Sequence, residues 1–232
     1  MVIRIIIEGG NLSQEDVNSV NKGTLSLYDG SEVLREELQK FFINALGFPE
    51  ISVIVNYEGA NKNAAKAFAA KSNEDYLYTD LDDVPEKRAE WFCKMETDGI
   101  IIPQDRRKNV FFWIKEMEAW FLKQPQSIEN WAADRGIEVK TPIALDPLIA
   151  EKDIEHLTQK PSDVMRFLFN RHIKNPRAGK NGKPQKVKYH KMRIAPRLIP
   201  YLDPHHLKKV DIELQSFVNS VHEKIESNTT EY

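Results

Sequence analysis

The chain opens with a nearly unbroken apolar run, Val2-Ile3-Arg4-Ile5-Ile6-Ile7, that ends on Glu8 and passes at once into Gly9-Gly10. A short β-branched run bounded by glycine reads as a strand over residues 2–8, buried on both faces. Residues 51–56 repeat the pattern and end in Tyr57-Glu58-Gly59. Tyr76-Leu77-Tyr78-Thr79 repeats it again and runs into Asp80-Leu81-Asp82-Asp83. Between these runs the period changes to 3.6. Leu34, Leu38, Phe41, Phe42 and Leu46 recur at helical spacing, with Ser31 as the expected cap and Gly47 as the stop. Asn61 and Asn63 open a short Ala-rich helix through Ala70, and residues 85–95 look helical. The polar stretch 11–30 reads as a long loop or a broken helix. Residues 109–114 read as a fourth strand or as the start of a long helix that Met117, Trp120, Phe121 and Leu122 continue. Strands alternating with helices at these distances predict βαβ units, hence an α/β fold with a mainly parallel sheet flanked by helices.

Beyond Lys123 the pattern turns helical. Residues 127–135, 146–157 and 162–172 each have helical periodicity, separated by Pro and Gly. Residues 175–188 hold Pro176, Gly179, Gly182 and Pro184 among lysines and read as a mobile loop. Two late helices are expected around 194–201 and 211–226, followed by a polar tail. The chain thus divides into a core, 1–123, and a helical C-terminal extension, 124–232, that carries the basic loop, the two forming one compact unit. No internal repeat and no sustained heptad pattern is present.

Composition narrows the class. The 232 residues are 41% hydrophobic and 29% charged, ordinary for a soluble globular protein. No apolar stretch is long enough to span a bilayer. The apolar start is too short for a signal peptide, and the expected location is the cytoplasm. A lone cysteine, Cys93, excludes an intramolecular disulfide and a four-cysteine zinc site, and its amphipathic surroundings make it structural. The net charge of −2 hides an asymmetry: residues 1–163 carry 19 Lys/Arg against 29 Asp/Glu, whereas residues 164–202 carry 11 Lys/Arg and no acid. A basic segment beside a carboxylate-rich half suits an enzyme acting on a polyanion, since the cations neutralise phosphates. The bland alternative is a solvated lysine-rich loop. His172, Tyr189 and His190 within the segment favour the first reading.

The acids carry the candidate chemistry. Strands 2–8 and 76–79 are expected to be neighbours, so Glu8 would meet Asp80 and Asp82 at the carboxyl edge of the sheet, where open α/β folds bind ligands. Converging carboxylates repel unless a cation or proton lies between them. Hard oxygen donors select Mg²⁺ or Mn²⁺ over zinc, so the expected site is one for metal-assisted phosphoryl transfer. Against this stand a helix-capping role for Glu8 and an acidic turn at Asp80-Asp82. Glu116 and Glu118, two apart, cannot share a helix face, so only one can reach the site. Tyr189, His190, Lys191 and Arg193 have the composition of a phosphate-gripping strand or turn, or of a surface charge cluster. Adjacent His205 and His206 diverge, which argues against a zinc pair. No P-loop, dinucleotide fingerprint or nucleophile elbow occurs, so ATP use by this chain is not expected.

A strand ending in Glu8-Gly9 and a later one ending in Asp80-Leu81-Asp82 resemble the signature of the Toprim fold of topoisomerases, primases and the overcoming-lysogenization-defect nucleases. More closely, the chain resembles an uncharacterised bacterial Toprim-like family often encoded beside ATPases in phage-defence loci. The likeness rests on Glu8-Gly9-Gly10 with the helix through Leu34-Arg35 to Phe41-Phe42, and on Glu118-Ala119-Trp120-Phe121-Leu122. It continues in Tyr189-His190-Lys191, Ala195-Pro196-Arg197-Leu198 and Leu202-Asp203-Pro204. Met192 departs from the pattern, standing where a glycine would follow the Tyr-His-Lys triplet. The resemblance implies that Glu8 is the general acid/base carboxylate and that Asp80 and Asp82 hold the metal, with Asp83 a second candidate. It also selects Glu118 over Glu116. The expected function is a Mg²⁺-dependent nuclease on DNA or RNA, the effector of an anti-phage system with an ATPase partner. In it, Lys191 stabilises phosphate charge, and Lys180, Lys183, Lys186, Lys188, His190 and Arg193 hold nucleic acid. The rival is a non-catalytic binding subunit of an ATPase complex.

Overall fold

A computed structural model describes residues 1–8, 27–48, 50–71, 75–178 and 184–229. Gly9, Gly10, Lys180, Lys183, most of the 11–30 stretch and the last residues of the polar tail fall outside them.

The central sheet has four parallel strands, β1 (Val2–Glu8), β2 (Ser52–Glu58), β3 (Tyr76–Asp80) and β4 (Val110–Trp113), in the order β2-β1-β3-β4. Strand alternation explains why the runs read as continuously apolar. Ile3, Ile5, Ile7, Tyr76, Tyr78, Phe111 and Trp113 face one layer, and Ile6, Leu77, Val110, Phe112 and Ile114 face the other. Residues 109–114 are therefore a strand at heart, as one of the two readings had it.

Among the described residues, three α-helices link the strands: α1 (Leu27–Leu46), α2 (Asn61–Ala70) and α3 (Arg88–Thr97). Leu34, Leu38, Phe41 and Phe42 of α1 join the first layer; Ala64, Ala65 and Phe68 of α2 and Trp91, Phe92 and Met95 of α3 build the second. Gly47, at φ +73°, stops α1: its N–H donates to Ile43 O at 3.1 Å, a left-handed cap that glycine adopts without strain. The other end differs from expectation. Ser31 lies inside α1, which begins at Leu27. Extending a helix that the Leu34–Leu46 stripe already anchors costs far less than starting one, so a lone serine does not set its boundary.

The C-terminal half supplies α4 (Ala119–Lys123), α5 (Gln126–Asp134), α6 (Pro161–His172), α7 (Lys191–Leu198), α8 (Pro204–Val210) and α9 (Ile212–Thr229). It packs into the same core as the first half. Phe217 of α9 sits 5.3 Å from Phe42 and 5.5 Å from Tyr76, ring centre to ring centre, and one buried cluster runs from Ile3 to Val221. The 1–123 and 124–232 segments are thus joined by a continuous hydrophobic core.

Two expectations in this half are overturned. The 146–157 stretch is not a helix but contains a short 3₁₀ turn, Ile154–His156. Pro147 disfavours the helical conformation at Asp146. The Asp146 carboxylate accepts the Leu148 N–H at 2.9 Å and is fixed by Arg171 and His172, and Asp153 accepts the Glu155 N–H at 3.0 Å. Both aspartates cap turns that do not propagate: Ala150 N–H donates to Asp146 O at 2.8 Å, but the next turn is the separate 3₁₀ turn that Asp153 caps. Nor is 175–188 simply a loop. Strands β6 (Ile173–Ala178) and β7 (Pro184–Lys186) pair antiparallel, and β5 (Glu138–Val139) pairs with β6. Pro184 stands first in its strand, and lysine is the residue natural sheets place on edges.

Candidate functional site

The strand order creates one special position. From β1 the chain crosses outward to β2, whereas β3 and β4 lie on the other side of β1. The crevice between the carboxyl ends of β1 and β3 is therefore a topological switch point, where helices leave on opposite faces and ligands have room. Glu8 and Asp80 are the terminal residues of those two strands.

Alternation sends the two side chains to opposite faces. Glu8 follows Ile7 and lies on the Ile6 side, with Thr79; Asp80 pairs in register with Trp113 on the other side. They still meet over the edge. Glu8 Oε2 accepts a hydrogen bond from Thr79 Oγ1 at 2.8 Å and one from the Asp80 N–H at 3.3 Å. Asn61, the first residue of α2, donates its Nδ2 to Asp80 O at 2.8 Å and accepts the Trp91 indole N–H at 3.1 Å. Neither Thr79 nor Asn61 stood out in the sequence. The signal for Thr79 was register: it lies one step beyond the Ile7–Tyr78 pair.

Asp80 reaches two other elements. Past the strand ends the backbone stays paired, with Leu81 N–H on Trp113 O at 2.9 Å, Asp82 N–H on Lys115 O at 2.9 Å and Lys115 N–H on Asp83 O at 3.1 Å. Asp82 and Lys115 both take positive φ, +61° and +63°, a conformation that side chains disfavour by roughly 1–2 kcal/mol. The paired turns bring Met117 to Asp80, whose Oδ1 accepts the Met117 N–H at 3.0 Å. Glu118 is the next residue. It precedes the short helix α4 and is fully buried, with Oε1 accepting from the Tyr189 hydroxyl at 3.0 Å. Its Oε2 is buried without a hydrogen bond. Lys191, the first residue of α7, closes the cluster: its Nζ lies 3.3 Å from Glu118 Oε2 and 3.6 Å from Asp80 Oδ2.

The electrostatics follow from this geometry. Burial pushes the Glu8 carboxyl above the ordinary glutamate range, and the Asp82 charge adds to the push; the Thr79 and Asp80 hydrogen bonds and Lys191 offset only part of it. Burial holds Asp80 well above the usual aspartate range, and the Glu8, Glu118 and Asp82 charges reinforce it against Lys191. For Lys191, burial alone would depress the ammonium. The charges of Glu118, Asp80 and Glu116 outweigh it and hold the group well above the usual lysine range.

The other expected residues are placed as follows. Asp82 is exposed, near enough for its charge to act on Glu8 and Asp80. Asp83 is exposed and its Oδ1 accepts the Val84 N–H at 2.8 Å, a local turn contact. Glu116, not on a helix, accepts the Ser162 N–H at 2.9 Å. Tyr189 is buried against Phe169, with ring centres 5.4 Å apart, and clamps Glu118; a phosphate-gripping surface role does not fit that position. His190 and Arg193 are half-buried at the start of α7, Lys188 is exposed and Lys186 ends β7. Lys186 to Lys191 is five residues, which span at most about 17 Å. The β6–β7 hairpin is therefore tethered close to the cluster.

Among the described residues no group of three or more His, Cys, Asp and Glu is arranged to enclose a metal ion. The donors nevertheless suit a hard cation in kind: Asp80, Glu118 and Glu8 are carboxylates, and Glu118 Oε2 is a buried acceptor without a hydrogen bond. The positive charge facing them is the Lys191 ammonium. No helix among the described residues is long and apolar enough to cross a membrane. No family model, curated protein or solved structure matches the chain.

Proposed function

We propose that the chain is a cytoplasmic, Mg²⁺- or Mn²⁺-dependent nuclease of Toprim-like type, acting on DNA or RNA as the effector of an anti-phage system with an ATPase partner. One observation supports the reading above the rest: Glu8 and Asp80 end adjacent parallel strands at the switch point, and Glu118 and Lys191 are brought to them from two other elements. Asp80, Glu118 and Glu8 would hold the metal, with Asp82 and Asp83 at its rim. A bound divalent cation would polarise the scissile phosphate and acidify water. Glu8, its carboxyl raised by burial, is suited to carry a proton. Lys191 neutralises a non-bridging oxygen, and the hairpin and its lysines hold the backbone on either side.

One observation favours the rival, a non-catalytic binding subunit of an ATPase complex: the Lys191 ammonium is ion-paired with both Asp80 and Glu118. A cleavage assay on duplex DNA, single-stranded DNA and RNA, with Mg²⁺ or Mn²⁺ and with and without a candidate ATPase, separates the two. Metal-dependent products lost in Glu8→Gln are expected. Absence of products in every arm, with partner binding retained, would establish the rival instead.

A further inference from the structure

The cluster at the carboxyl edge holds an unusual pairing. Asp80 Oδ2 and Glu118 Oε2 face the same ammonium, yet neither distance is short, at 3.6 and 3.3 Å. Glu118 has no exposed surface and its Oε2 lacks a hydrogen bond. The partner of this buried oxygen is the Lys191 ammonium at 3.3 Å, so the one contact that satisfies it is with a cation. Its neighbour oxygen is committed to Tyr189, and the second Asp80 oxygen to the Met117 N–H, so each carboxylate keeps one oxygen directed at the Lys191 position. Lys191 itself is 43% exposed along its side chain and sits on the first turn of α7, at the end of a five-residue tether from β7. Displacement would need a rotamer change toward that exposed side.

We propose that Lys191 is a displaceable internal cation: it occupies the metal position in the metal-free protein and is expelled when a divalent cation binds to Asp80 and Glu118. This deepens the proposed function and rests on it. The lysine stabilises the buried Glu118 and the part-buried Asp80 while no metal is present, and on expulsion its ammonium becomes free to meet a phosphate. The metal and Lys191 therefore compete for the same two oxygens, and the lysine sets the threshold of metal at which the site assembles.

The test is a Mn²⁺ titration of the full chain, read by electron paramagnetic resonance, for the natural sequence and for Lys191→Met. Removing a unit charge that competes for the same two oxygens should tighten Mn²⁺ by about tenfold or more. Equal or weaker binding by Lys191→Met overturns the inference while leaving a metal-dependent enzyme standing. Absence of binding by both overturns the inference and the metal reading together. A second measurement needs no variant: acylation of amines in the natural chain, mapped by peptide mass. Lys191 should react slowly without Mg²⁺ and several-fold faster at saturating Mg²⁺, other lysines being unchanged. Should Lys191→Met not fold, this result decides, and a Lys191 rate that Mg²⁺ leaves unchanged or lowers overturns the proposal.

Discussion

Lys123 and Lys191 each face two carboxylates, Glu155 and Asp211 in one case, Asp80 and Glu118 in the other. At Lys123 the distances are 2.6 and 2.8 Å and the side chain is 6% exposed. Asp211 there also accepts the Trp120 indole N–H at 3.0 Å through one oxygen, and through the other the Leu214 N–H at 2.8 Å, which caps α9. At Lys191 the distances are longer, the lysine is more exposed, and one buried oxygen has no hydrogen bond. The first cluster is satisfied internally and ties α4, α9 and the 153–155 turn together. The second leaves Asp80 well above its ordinary range, so its electrostatic strain can be relieved only by a proton or another cation. A buried charge group that hydrogen bonds complete is architecture; one left incomplete at a switch point is a candidate site.

Neutralising the acids tests this difference most severely. Glu8→Gln should lower cleavage by about 10²–10⁴-fold, the usual contribution of a general acid or base. Asp80→Asn should abolish cleavage too, and neither variant should melt lower than the natural chain without metal, since each removes one of several repelling carboxylates. A sharp fall in melting temperature for either would place it with Asp211 as a structural residue.

Stability of the lysine variants comes next. Lys123→Met leaves Asp211 and Glu155 uncompensated, and urea unfolding should show a loss of about 3–5 kcal/mol, the range for breaking a buried pair. Lys191→Met should cost less, because solvent screens a cation whose side chain is 43% exposed. Equal losses would mean that the two clusters serve the same purpose.

A smaller effect concerns pH. Glu8 and Asp80 have carboxyls raised above their unfolded values. Their contribution to stability is fully present below the ordinary carboxylate range and is lost as pH rises through the raised folded values. Unfolding free energy measured across that interval should decline less steeply in Asp80→Asn than in the natural chain. An unchanged slope would show that Asp80 does not carry the strain assigned to it.

The smallest and most distributed effect belongs to the basic segment. Neutralising Lys180, Lys183, Lys186 and Lys188 together should weaken nucleic-acid binding. For every phosphate that the protein no longer neutralises, the log–log salt slope should fall by about 0.9 on duplex DNA or about 0.7 on a single strand. An unchanged slope would make the β6–β7 hairpin a connector or a protein-docking arm and move the binding-subunit reading ahead.

The sequence was legible where burial was strong and local. Four apolar runs became four strands, and Leu34 to Leu46 became one face of α1, because two-sided burial leaves an unbroken apolar signature. It misled where side chains distant in sequence compete with the backbone. Arg171 and His172 reach Asp146 from α6 and hold a turn where periodicity suggested a helix. The 175–188 lysines, read as a loop, belong in part to a hairpin that β5 completes from residues 138–139.

Adjacent residues were enough to set the alternation of strands and helices, the carboxylates at two strand ends and the acid-free basic segment, because each is written locally in the chain. Folding in three dimensions was needed to place β1 and β3 side by side, which depends on how the crossovers run. The same folding makes Thr79 and Asn61 the anchors of Glu8 and Asp80 and turns Tyr189 into a buried clamp. It also brings Lys191, more than a hundred residues from Asp80, into place as the neighbouring cation. Those assignments depend on which atoms share a few ångströms of low-dielectric space, and chain order carries no record of that distance.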